Sequence, residues 1–129
     1  MAVLKNNILI LASLLVSSCA YSNSQAPVIF ENIVAGCFIL VDENLDVDKE
    51  PVTVTFSVGA GSKDLDCPCK SALMKFTAYQ KLETGTSDLL SGYFTAHGKK
   101  SVVLPVAVQN QLIFPAVPIR VLISCSSPR

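Results

Sequence analysis

Five cysteines, Cys19, Cys37, Cys67, Cys69 and Cys125, carry the most versatile chemistry in this 129-residue chain. Two of them flank a proline in Asp66-Cys67-Pro68-Cys69-Lys70. A C-x-C pair can be a redox-active dithiol, can hold copper or zinc with Cys37 and Cys125 completing four soft ligands, or can supply two structural disulfides. Zinc spacing is not met, because structural zinc sites show two C-x2-4-C halves and here two of the four ligands stand alone. A bond between Cys67 and Cys69 closes a very small ring, which Pro68 stiffens further. Of the three pairings open to four cysteines, the expected one uses the pair crosswise, one partner bonding Cys37 and the other Cys125. By strand phase, Cys37 is expected to face inward with Ile39 and Val41, and Cys125 with Val121 and Ile123.

Cys19 has a separate fate. Lys5 gives the first residues a positive charge, and Ile8 to Val16 is apolar except for Ser13. That run is too short to span a bilayer, which takes about 20 residues, and has the length of a secretory h-region. Val16-Ser17-Ser18-Cys19 resembles a bacterial lipobox, which implies a leader over residues 1–19 and lipidation of Cys19. Cleavage after Ala20 by an ordinary signal peptidase is the alternative, with Ser18 and Ala20 as the small residues. Either route removes Cys19 from the thiol pool and exports the remaining four to an oxidising compartment, where an even count is expected to form two bridges. The resulting localisation is the periplasmic side of a bacterial envelope, with an outer-membrane lipoprotein preferred over a soluble periplasmic or secreted protein. Residues 20–26 read as a tether, and residues 27–129 as one domain.

These cysteines need elements to place them. Half of the residues are apolar and 16% are charged, with ten basic against ten acidic side chains, so the chain is neither disordered nor equipped with a basic face for nucleic acid. Removing Lys5 with the leader leaves nine basic against ten acidic. The 52–58 stretch alternates strictly, with Val52, Val54, Phe56 and Val58 on one side and Thr53, Thr55 and Ser57 on the other, which defines a half-buried strand. Strand-like runs also cover 28–41, 72–82, 90–96, 102–108 and 119–125. Turns are expected at 59–63 and 83–88, and a hairpin connection at His97-Gly98-Lys99-Lys100. Pro105, Pro115 and Pro118 belong on edges, bulges or strand starts. With no amphipathic helix, six to seven strands predict an all-β, immunoglobulin-like β-sandwich, a small β-barrel being the alternative.

Other motifs carry less. Asp42 to Glu50 sets oxygen ligands at alternate positions, but Val47 and Thr53 occupy the glycine and glutamate positions of a calcium loop, so a solvated acidic loop is expected. His97 is the single histidine and sits in a turn rather than in a catalytic set. No G-x-S-x-G elbow or phosphate loop is present. Lys70, Lys75, Tyr79 and Lys81 are expected to share with Thr77 the outer face of one strand.

The stretch Cys67-Pro-Cys-Lys-Ser-Ala-Leu73, with Leu104-Pro-Val-Ala107 and the closing Ile123-Ser-Cys125, resembles an uncharacterised family of small exported bacterial proteins. That resemblance implies Gram-negative export and a cysteine framework, and transfers no catalytic residue. The expectation is a non-enzymatic envelope protein without a cofactor, binding another envelope protein or a surface ligand through loops or an edge strand. A thiol-redox or metal-handling protein centred on Cys67 and Cys69 is the rival, and a hydrolase a distant third.

Overall fold

The computed structural model describes residues 27–126. They form seven strands: β1 Val28–Asn32, β2 Phe38–Asp46, β3 Val52–Ala60, β4 Leu73–Leu82, β5 Gly85–Thr95, β6 Ser101–Ala107 and β7 Ile119–Cys125. One sheet has the order β1-β7-β4-β5 and the other β2-β3-β6, packed as a sandwich rather than closed as a barrel. All neighbours are antiparallel except β1, which runs parallel to β7. The four-plus-three division is that of immunoglobulin domains, whereas the strand order is this chain's own.

Alternation explains most of the layers. Val52, Val54 and Phe56 of β3 are fully buried, as are Ile119, Val121 and Ile123 of β7 from the opposing sheet. Phe56 is the centre of an aromatic cluster: Phe30 lies edge-on at 5.7 Å, Phe38 stacks at 6.5 Å and Phe94 lies edge-on at 6.3 Å between ring centroids. Phe94 in turn meets Phe38 at 6.0 Å and Phe76 at 6.2 Å. These five rings come from both sheets, so each pair holds the two layers together or fixes one layer's inner face. Such pairs add about 0.5–1.5 kcal/mol each beyond the area they bury.

The structure departs from the sequence expectation where the chain changes layer. The apolar run 28–41 is two strands on different sheets, separated by a turn at 33–37. Asn32 sets that turn: its side-chain carbonyl accepts from the Val34 N–H at 3.0 Å, and its amide donates to the Phe38 carbonyl at 2.9 Å. The break resets the phase, so Phe38 and Leu40 point inward, while Ile39 and Val41 lie opposite Gly59 and Ser57 on the outer face. The acidic stretch is also mostly strand: β2 runs to Asp46 through a bulge between Val41 and Asn44, with Asp42 at positive φ. Its polar residues are compatible with a strand because they lie on an edge, where a bulge and charges discourage pairing with another chain. The turn expected at 83–88 is only Glu83-Thr84, because Leu82 pairs with Gly85 and the hairpin zips from there. Finally, residues 96–100 link β5 to β6 across the two sheets and are no hairpin.

The two ends of the sandwich therefore differ. At one end the chain crosses between sheets three times, at 33–37, 61–72 and 96–100, and β7 finishes. At the other end lie the β2–β3 and β4–β5 connections and the long return from β6 to β7. That return carries one turn of 3-10 helix, Asn110–Leu112, and is held by Gln80, the one buried polar side chain among the described residues. Gln80 accepts from the Phe114 N–H at 2.8 Å and donates to the carbonyls of Phe114 and Val117, both at 3.0 Å. Its inward phase, continuing Met74, Phe76 and Ala78, was its only signal in the sequence. Pro105 sits on edge strand β6 beside a register shift, and Pro115 and Pro118 precede β7, where none interrupts a ladder.

Gln80→Ala should lower unfolding free energy by about 2–3 kcal/mol in urea titrations, because three partners lose their bonds inside the fold. Gln80→Glu should recover little of that, since a carboxylate cannot donate to the two carbonyls. A change below about 0.5 kcal/mol for Gln80→Ala would show that the return loop is held by something else.

Candidate functional site

The three-crossing end gathers the cysteines. Cys37 closes the 33–37 turn immediately before β2, Cys67 and Cys69 lie in the 61–72 crossing, and Cys125 ends β7. Cys37 bonds Cys67, and Cys69 bonds Cys125. The crossing is thus joined to the start of β2 in one sheet and to the end of β7 in the other.

Backbone packing prepares the first bridge. A Cβ at Gly36 would run into the Asp66 carbonyl, and one at Gly61 into the Gly36 carbonyl, so both positions need hydrogen as a side chain. The Ser62 N–H donates to the Ala35 carbonyl at 2.8 Å. This close approach lays the crossing on the turn and sets Cys67 beside Cys37. The second bridge abuts Met74, whose Sδ lies 3.6 Å from Cys69 Sγ.

The sulfurs of Cys37, Cys67 and Cys69 all fall within 4.8 Å of one another. Among the described residues this is the one group of three or more metal-capable side chains. Thiolates are what bind metals and attack disulfides, and here the sulfurs are bonded in pairs. Cys19 lies outside the described residues.

Between the 61–72 and 96–100 crossings lies a cleft of about 420 Å³. Its floor is apolar, formed by Phe38, Val58, Met74 and Ala96. Cys37, Cys67 and Cys69 form one wall. Lys70, His97 and Lys99 are exposed and stand at its mouth. Lys70 precedes β4, which begins at Leu73, and so leaves the strand face expected for it to Lys75, Thr77, Tyr79 and Lys81. His97 and Lys99 reach the cleft because the Lys99 N–H closes a turn on the Ala96 carbonyl at 3.1 Å, with Gly98 at φ 73°. No linear motif marks this cleft: its parts come from four separate segments, and only the C-x-C was visible as a group.

A second polar cluster lies on the outer face of the larger sheet. Glu31 Oε1 accepts from the Tyr79 hydroxyl at 2.8 Å and from Arg120 Nη1 at 3.2 Å, clamping β1, β7 and β4 together. The bond to Glu31, with burial and the carboxylate's charge acting in the same direction, holds the Tyr79 hydroxyl above the usual tyrosine pKa, Arg120 opposing. The cluster is a cross-strand clamp on an open face, without a cavity.

A disulfide-bonded β-sandwich with one cleft beside its paired bridges is the class this geometry defines. The chain belongs to the family described as an uncharacterized protein conserved in bacteria (DUF2195), which matches residues 13–128. No curated protein and no solved structure matches it.

The bridges close loops with sequence separations of 30 and 56 residues. The loop-closure model then assigns each about 4 kcal/mol, the longer loop slightly more. Cys37→Ser/Cys67→Ser and Cys69→Ser/Cys125→Ser should each lower stability by about that amount in guanidinium unfolding; equality with the unaltered chain would remove the bridges as the fold's staples. For Tyr79, the ultraviolet ionisation step lost in Tyr79→Phe should be centred above pH 10. The clamp's contribution is complete below the unfolded value of about 10 and disappears as pH rises through the higher folded value. A step centred at or below 10 would contradict the bond to Glu31.

Proposed function

We propose that this chain is a non-enzymatic, exported envelope domain that binds a ligand or partner in the cleft at its disulfide end. The observation that carries this reading is the cleft itself: a concavity whose surface is about as polar as apolar, with core side chains beneath cationic ones, of a size within the roughly 300–1,000 Å³ of small-molecule sites. The paired disulfides support export, since such bonds persist in oxidising compartments. In this reading Cys19 bears the lipid and the protein belongs to the periplasmic side of the outer membrane. Rigid walls favour binding because little conformational entropy is lost when a ligand enters. Thiol exchange at Cys67-Pro68-Cys69 draws on the close approach of three sulfurs. It needs a reductant to open a bonded pair first.

The test is a titration of the isotope-labelled mature chain, purified from cells, with lipid and protein fractions of the bacterial envelope. Amide shifts should concentrate at Phe38, Val58, Met74 and Ala96 and disappear in Ala72→Trp, which places a large ring on the exposed rim. Shifts confined to other faces, or no response to any fraction, would overturn the assignment.

A further inference from the structure

Resting on the cleft as the binding site, we propose that its ligand is a small amphipathic anion of fatty-acid type, an acyl chain ending in one carboxylate. The residues that line the cleft include Lys70, Lys99 and His97 and no aspartate or glutamate. The chain as a whole is balanced, ten basic against ten acidic, so the lining of the cleft is positive relative to the rest. Among the described residues the ion pairs are Lys49 with Asp46 and Arg120 with Glu31, which leaves both cleft lysines free to meet an anion.

Beneath those cations the surface changes character. Phe38, Met74 and Ala96 are buried core residues whose cleft-facing atoms offer an aromatic ring, a thioether and a methyl group. An ionic head at the mouth and an apolar chain on the floor satisfy both zones at once. A polyanion is poorly matched, because two lysines neutralise one carboxylate and not a run of phosphates. Binding energy comes chiefly from the buried chain, while exposed ion pairs give selectivity and fade with salt.

The probes are decanoate below its micelle concentration, decanol, acetate and decyltrimethylammonium, titrated into the labelled mature chain. Decanoate should shift the amides of Phe38, Val58, Met74 and Ala96. Decanol should bind about five-fold more weakly, the size expected of two exposed ion pairs. Acetate and the cationic amphiphile should leave the cleft unchanged. Lys70→Ala/Lys99→Ala, at two exposed positions, should keep the fold and erase the preference for decanoate over decanol. Equal binding of decanol and decanoate to the unaltered chain would overturn the head-group assignment. Absence of any decanoate response would overturn the ligand class as a whole. Neither result decides whether the cleft is a binding site, because the envelope-fraction titration reads that separately.

Discussion

The chain must pass between its two layers three times at the same end of the sandwich, and the rest of the structure depends on how that end is held. Strand ladders cannot hold it, because the backbone of 61–72 belongs to neither sheet. Its exposed residues bury too little apolar surface to fix it by packing. Two covalent bonds do so instead, one to each layer, from cysteines a single proline apart. One short segment thereby reaches β2 on one side and β7 on the other. The glycines at 36 and 61 are part of the same device, since a methyl group at either would lift the crossing off the turn.

The far end solves the same mechanical problem without covalent bonds. There the return from β6 to β7 is irregular, and Gln80 supplies from within β4 the donors and acceptor that its backbone lacks. A buried amide suits this role because it can accept from an N–H and donate to two carbonyls simultaneously. Holding both ends leaves the aromatic cluster around Phe56 as a rigid centre, and the cleft inherits that rigidity through Phe38, whose ring belongs to both. Positive charge collects at the cleft, whereas on the larger sheet's outer face Arg120 is paired with Glu31 beside Tyr79.

The layers were legible in the sequence because strict alternation encodes which side of a strand is buried. Val52 to Val58, and Ile119 to Cys125, read correctly from that pattern alone. The crosswise use of Cys67 and Cys69 was legible too, since ring size excludes the local bond, and the chain closes its bridges to Cys37 and Cys125. Layer changes were not. The run from Val28 to Val41 reads as one strand, yet the side chain of Asn32, bonding across six residues, helps turn it into two. Residues 96–100 have hairpin composition, yet cross the core because β6 pairs with β3 rather than with β5. The cleft was invisible for the same reason: Lys70 and Lys99 become neighbours of one space only after both crossings are placed. What a linear pattern omits is which distant segment satisfies a given backbone edge.

The parallel pairing of β1 with β7 gives the domain a polarity in space. Val28 stands beside Ile119, at the end with the β2–β3 and β4–β5 connections, and the five residues of β1 then run toward the bridged end. Whatever precedes Pro27 therefore joins the domain on the side remote from the cleft. A domain held from that side presents the cleft at its outermost tip, facing away from the point of attachment. Tension along the same attachment would load the β1–β7 ladder lengthwise, in shear across all its hydrogen bonds together, instead of peeling them one by one.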